Sequence, residues 1–175
     1  MKNNIYPKNY QSVLNLVDTQ RAIKLIKDTF EKELAKELDL MRVSAPLFVE
    51  TGTGLNDNLS GYEKPVSFEV NENNRELEIV QSLAKWKRYA LKKYNIDGLY
   101  TDMNAIRRFE DLDNLHSLYV DQWDWERRLD PKERNVSTLK RTVKKIYKAF
   151  NKTYKVLTKQ YPELTNDLPK DITFI

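Results

Sequence analysis

Apolar residues recur at helical spacing in two stretches of the chain, and a cap signal marks a further helix between them. Over residues 18–39, Ile23, Ile26, Phe30, Leu34 and Leu38 fall at steps of three and four, which predicts an amphipathic helix with Asp18 able to cap its start. Residues 82–95 predict a second helix, capped by Ser82. Residues 137–160 predict a long third helix, with Leu139, Val143, Ile146, Phe150, Tyr154 and Leu157 on one stripe. Elsewhere the period changes. Residues 40–49 carry β-branched and aromatic positions around Pro46, which lacks a donor, so an edge strand or interface segment is expected. Residues 66–70 and 76–80 alternate about the turn Asn71-Glu72-Asn73-Asn74 and predict a hairpin. Residues 99–109 and 116–126 read as two more strands, separated by the turn-rich Glu110-Asp111-Leu112-Asp113-Asn114. Residues 50–61 hold three of the four glycines and read as a loop. Asp171-Ile172-Thr173-Phe174-Ile175 reads as the start of a strand, so this chain is expected to be the first part of a longer architecture.

Composition narrows the chemistry. The chain has 175 residues, one domain's worth, with 40% hydrophobic residues to build a core. It has no cysteine, which excludes disulfides, zinc–thiolate centres and thiol nucleophiles. Its one histidine, His116, excludes a multi-histidine metal site. A net charge of +4 is mildly basic and far from the footprint of a dedicated nucleic-acid binder. No run of about 18 apolar residues occurs to span a membrane. Met1-Lys2-Asn3-Asn4 leads into no apolar segment, so no signal peptide is visible and a cytoplasmic protein is expected. Neither a Gly-Lys-Ser/Thr phosphate loop nor a dinucleotide fingerprint is found.

The strand over residues 116–126 carries the most information. Alternation sets Tyr119, Asp121, Trp123 and Trp125 on one face and His116, Val120, Gln122, Asp124 and Glu126 on the other. The tryptophans call for helices packed over them, leaving the polar row for a ligand to satisfy. The alternative is a half-exposed sheet with a solvated polar face. Arg107, in register with Met103 and Ala105, could clamp a phosphate or carboxylate, or form a surface ion pair. Asp57, in the glycine-bearing loop, could receive a cationic group, or belong to an ordinary turn. Arg141, Lys144, Lys145, Lys148, Lys152, Lys155 and Lys159 form a basic stripe on the third helix; it is either a solvated face or an RNA-binding one.

Several runs resemble one known family. Asp57-Asn58-Leu59-Ser60-Gly61, Ser82-Leu83-Ala84-Lys85-Trp86-Lys87-Arg88, Leu115-His116-Ser117 and Tyr119-Val120-Asp121-Gln122-Trp123-Asp124-Trp125-Glu126 are similar to aspartate–ammonia ligase, the ammonia-dependent asparagine synthetase. The likeness runs the length of the chain and covers about the N-terminal half of that family. It implies an α+β fold, an antiparallel sheet flanked by helices like the catalytic fold of class II aminoacyl-tRNA synthetases, here incomplete. Residues 1–175 would be the N-terminal part of one such catalytic domain. Leu40-Met41-Arg42-Val43-Ser44-Ala45-Pro46-Leu47 resembles the first class II motif, an interface element, and implies a homodimer. Arg107, a loop, then His116, Val120 and Asp124 resemble the second. The synthetases usually have an aromatic residue at the Val120 position, stacked on adenine; valine can pack there but not stack.

The resemblance implies ATP-dependent amidation of L-aspartate by ammonia through an aspartyl-adenylate, releasing AMP and pyrophosphate. It implies that Arg107 holds the α-phosphate and that His116 and Val120 border the nucleotide. Ser82, Lys87, Gln122 and Asp124 would line the aspartate site, with Asp124 taking the ammonium group and Lys87 a carboxylate. Asp57 would sit near the reacting carboxyl and attract ammonium. Mg²⁺ ligands and the third class II motif are expected outside this chain, so the chain on its own is expected to lack ATP–pyrophosphate exchange. Two other readings stay open: a paralogue acting on another amino acid, and a truncated paralogue serving as a binding or regulatory module.

Overall fold

A computed structural model describes residues 8–71, 74–165 and 168–175. Residues 1–7, on which the signal-peptide reading falls, and Glu72-Asn73 of the hairpin turn lie outside the described residues. The element order is α1 (Leu16–Leu38), β1 (Met41–Arg42), β2 (Phe48–Glu50), β3 (Ser67–Val70), β4 (Arg75–Ile79), α2 (Ala84–Tyr94), β5 (Gly98–Ile106), β6 (Tyr119–Arg127) and α3 (Val136–Gln160). The chain divides into two compact units, one built on Met41–Arg128 and the other on Gln11–Leu40 with Leu129–Ile175.

The first unit holds two three-stranded sheets. In one, the order is β1-β5-β6. The nine-residue strands β5 and β6 run antiparallel in full register from Gly98↔Arg127 to Ile106↔Tyr119. The two-residue β1 joins β5 in parallel, which departs from the otherwise antiparallel pairing. Its Arg42 reaches Asp102 at 2.7 Å, an ion pair that ties the short edge strand down. The other sheet, β2-β4-β3, is wholly antiparallel and contains the expected hairpin. Pro46 falls in the bend between β1 and β2, where its missing donor breaks no ladder.

The sheet core packs under α2. Val49, Val80, Leu83, Met103 and Ala105 form one buried cluster, with Trp86 and Val120 against it. Val43, Ala90, Leu91 and Leu99 form another, again with Trp86. Each valine, leucine or methionine among them contributes about 1.5–3 kcal/mol by leaving water, and each alanine less. The helix begins one residue later than expected. Leu83 occupies the cap position, and Ser82 Oγ accepts only a long bond from the Ala84 N–H, at 3.4 Å. Asn95 ends it in the left-handed conformation, which asparagine tolerates.

In the second unit, α1 and α3 pack against each other. The cap of α1 is Asn15 and not Asp18: Asn15 Oδ1 accepts from the Asp18 N–H at 2.9 Å, so Asp18 becomes the third helical residue. Asn135 caps α3 in the same way through the Thr138 N–H. Small Ala149 and Thr153 are buried, and Phe150 meets Phe30 with ring centroids 4.8 Å apart. The apolar stripe of α3 is only partly covered, and Leu139 remains 61% exposed. Within this unit one helix, α1, faces α3, and one helix cannot cover a stripe that wide. Residues 171–175 form no strand. Phe174 instead lies under the Lys140 ammonium, 5.1 Å from its ring centroid.

Candidate active site

Lys87 is the centre of the arrangement. On α2 the buried positions are Lys87, Ala90 and Leu91, following Leu83 at the cap. Lys87 therefore occupies a core position of the helical stripe, and its side chain is 1% exposed. A buried ammonium needs a counter-charge. It finds Asp124 of β6, in direct contact and 27% exposed. One residue on, Arg88 approaches Glu126 at 3.6 Å.

This geometry reverses one expectation. The row Val120, Gln122, Asp124 and Glu126 pairs in register with Ala105, Met103, Thr101 and Leu99, all buried. The sheet face with the polar row is thus the one that α2 covers, and it is not an open ledge. The physical reason is the ion pair: a lysine stem lies among apolar residues while its charge meets Asp124, so the face is both polar and packed. Gln122 Nε2 contacts the Met103 sulfur at 3.5 Å, and Val120 packs against the Met103–Ala105 cluster. Trp123 and Trp125, on the opposite face, are only partly buried.

Asp57 and Ser82 come together at the corner between β4 and α2. The Asp57 N–H donates to the Ser82 carbonyl at 3.3 Å. The loop that carries Asp57 turns through Gly52, Gly54 and Gly61, all at positive φ, where a side chain would strain the backbone. Sequence reasoning missed two buried residues here, Asn56 and Gln81. The available signal was their place: two amides, one beside Asp57 and one directly before Ser82.

Arg107 lies one residue beyond β5, its N–H donating to the Leu118 carbonyl at 2.8 Å. Its guanidinium stands 3.9 Å from Glu110, while its Nε is buried with no hydrogen-bond partner among the described residues. His116 is not on β6, which begins at Tyr119. It sits in the preceding loop, 56% exposed, with Nδ1 2.9 Å from Asp113. That carboxylate also accepts the Leu115 and His116 N–H groups, each at 2.7 Å. These backbone donors, then the imidazole, hold Asp113 below the ordinary carboxylate range. The Asp113 hydrogen bond raises His116 in turn. The loop closes on itself because Asp113 is a local turn-former three residues from His116, which ends the strand pattern early.

The basic stripe of α3 is not simply solvated. Lys148 and Lys152 pair with Glu37, and Lys152 also with Glu33, across to α1. A groove of about 590 Å³ runs beside them, lined by Lys144, Tyr147 and Lys155 among others. No group of three or more acidic or imidazole side chains able to hold a metal ion occurs among the described residues. No helix among them is long and apolar enough to cross a membrane.

Comparison with known proteins gives this geometry a family. Two solved structures share the fold: a protein assigned as aspartyl-tRNA synthetase from Leishmania major Friedlin (TM-score 0.56, 19% identity) and Entamoeba histolytica asparaginyl-tRNA synthetase (0.53, 15%). They align over 82% and 85% of this chain and over 24% and 32% of their own. The fold is therefore class II synthetase-like. An aspartate–ammonia ligase of Clostridium perfringens (strain SM101 / Type A) is 55% identical over 97% of this chain and 52% of its own length. That of Clostridium tetani (strain Massachusetts / E88) is 60% identical over 77% of this chain and 41% of its own. The chain thus spans about half the length of the curated relatives it matches. Residues 17–175 match the sequence model of aspartate–ammonia ligase, and the chain belongs to that family.

Proposed function

We propose that this chain is the N-terminal part of a class II synthetase-like catalytic domain that makes L-asparagine from L-aspartate, ammonia and ATP. The observation that carries this reading is the buried Lys87 ammonium against the partly exposed Asp124 carboxylate. A cation and an anion side by side match the α-carboxylate and α-ammonium of an amino acid. Asp124 takes the ammonium group and Lys87 the carboxylate, with Gln122 and Ser82 bordering them.

The chemistry then follows. The side-chain carboxylate of aspartate attacks the α-phosphorus of ATP, and pyrophosphate leaves. Ammonia attacks the acyl carbon of the mixed anhydride, a proton is lost and AMP departs. A bare carboxylate is a poor electrophile, so adenylation supplies the leaving group that ammonia needs. Positioning and charge stabilisation are the protein's share. Arg107 meets the charge that develops on the α-phosphate. Its Nε, buried without a partner, is a donor that an incoming anion would satisfy. Losing such a donor costs about 10²–10³ in rate. Asp57 sits near the reacting carboxyl and attracts ammonium. Val120 packs beside the nucleotide and His116 supports its phosphates. ATP is a substrate; Mg²⁺, which such reactions use, takes its ligands from outside this chain.

The protein works in the cytoplasm. The exposed apolar Met41 and Leu47 favour a homodimer contact along residues 40–47. The reading is tested by calorimetric titration of the 175-residue chain with L-aspartate. Saturable binding is expected, lost in Lys87→Met, with no binding of succinate, which lacks the ammonium group. Equal binding of succinate, or wild-type behaviour of Lys87→Met, overturns the site.

A further inference from the structure

The corner between β4 and α2 carries a hydrogen-bonded clasp that the reaction scheme above does not use. Residues 56–57 lie along residues 79–82. Asn56 Nδ2 donates to the Ile79 carbonyl at 3.1 Å, and the Gln81 N–H donates to Asn56 Oδ1 at 2.8 Å. The Asp57 N–H donates to the Ser82 carbonyl at 3.3 Å. Gln81 Nε2 reaches the Asp57 carbonyl at 3.4 Å and the Glu63 carbonyl at 3.5 Å. Asn56 is 3% exposed and Gln81 1%. Side-chain amides here replace the ladder that a neighbouring strand would supply, and they grip the loop at Asp57 itself.

Gln81 is an expensive way to fill this space. Its Oε1 is buried with no hydrogen-bond partner among the described residues. An apolar side chain of the same volume would avoid that unsatisfied acceptor. The cost of that acceptor is offset only through the Nε2 end of the side chain. What glutamine adds is its Nε2 donor pair, on Asp57 on one side and Glu63 on the other.

We propose that Asn56 and Gln81 are positioning residues that fix the Asp57 carboxylate against the reacting end of the bound amino acid, and that this clasp sets the balance between aspartate and asparagine. The proposal rests on the assignment of Asp57 given above. A carboxylate held there repels the side-chain carboxylate of aspartate and accepts an N–H from the side-chain amide of asparagine. A clasp that fails lets Asp57 swing into water, and both effects fade together.

Calorimetric titration of the 175-residue chain with L-aspartate and with L-asparagine tests this. In Gln81→Met the ratio of the two affinities moves toward aspartate by about tenfold, the scale of one ionised contact partly open to water. Asp57→Asn moves it the same way by at least as much, and Asp57→Asn/Gln81→Met moves it no further than Asp57→Asn alone. Asn56→Ala, which removes both the acceptor for the Gln81 N–H and the donor to Ile79 without adding a charge, gives a shift in the same direction and stands in should Gln81→Met not fold. A loss of affinity equal for both amino acids overturns the proposal, as does a Gln81→Met shift that adds in full to that of Asp57→Asn. Lys87→Met separates the two levels. If it leaves both affinities unchanged, or if the wild-type chain binds neither amino acid, the site assignment falls and takes the clasp's role with it. If Lys87→Met abolishes binding while Gln81→Met leaves the ratio unchanged, the clasp alone is refuted.

Discussion

Lys87 and Lys152 both reach from a helix to carboxylates on another element, yet they belong to different physical regimes. Lys87, on α2, is 1% exposed and meets Asp124. Lys152, on α3, is 35% exposed and meets Glu33 at 2.6 Å and Glu37 at 3.0 Å. In the first pair the Lys87 ammonium is cut off from water and depends on Asp124, whose carboxylate still reaches solvent. The second sits at the margin of a helix pair, where water and salt share the load.

The largest effect comes from breaking the buried pair on one side only. Asp124→Asn leaves the Lys87 ammonium enclosed without a counter-charge and lowers stability by about 3–5 kcal/mol. Lys87→Met leaves a carboxylate that is already partly in water and packs a thioether among Leu83, Trp86 and Leu91; it costs about 1–2 kcal/mol. Urea denaturation of the two variants measures the asymmetry. Equal losses would show that Lys87 reaches water more readily than its burial implies.

How much of this was legible in the sequence depends on the range of the interaction. Helices α1 and α3 follow from apolar periodicity, α2 from a cap signal, and the hairpin from alternation, because all are local patterns. Lys87 was singled out by the family resemblance alone, and its place on the stripe of Leu83, Ala90 and Leu91 came from the structure. The facing of β6 was not. Alternation divides its residues into two sets but does not say which set α2 covers, and a tryptophan-rich face is a natural but wrong guess. His116 looked like a strand residue because the pattern cannot register a carboxylate three positions back that closes the turn. Asn56 and Gln81 were invisible for the opposite reason: their partners are 23 to 25 positions away in sequence.

A smaller effect separates the exposed network from the buried pair. Lys152→Met removes its two carboxylate contacts across the helix pair but leaves Lys148 on Glu37, and Glu33 keeps some access to water. The expected loss of thermal stability is well below that of Asp124→Asn and shrinks further in 1 M salt, where the screening length is about 3 Å. The loss in Asp124→Asn is nearly independent of salt. Thermal melts at low and high ionic strength distinguish them, and a salt-independent Lys152→Met would place that pair in the buried class. The hydrogen bonds from Lys148 and Lys152 lower Glu37, as that from Lys152 lowers Glu33, while both carboxylates raise Lys152. The network is therefore complete between the ordinary carboxylate value of 4.5 and the ordinary lysine value of 10.5, and it weakens outside that window.

The smallest effect belongs to the turn at Asp113 and His116, an ion pair still more exposed than Lys152. Asp113 is lowered from its ordinary value of 3.8, so its contribution is full above that pH and fades as pH falls through the depressed value. His116 is raised from 6.5, so its contribution is full below that pH and fades as pH rises through the raised value. The turn is tightest in the acidic-to-neutral window between the two. Global stability barely registers the change, because both groups are solvated. The imidazole does register it: its proton resonances titrate above the free-histidine value in the wild-type chain and move back toward that value in Asp113→Asn. The Leu115 and His116 amides exchange faster at every pH in Asp113→Ala, which removes the acceptor that both share. An unchanged His116 titration in Asp113→Asn would mean that another group holds the imidazole, and the loop would then owe its closure to something other than this turn.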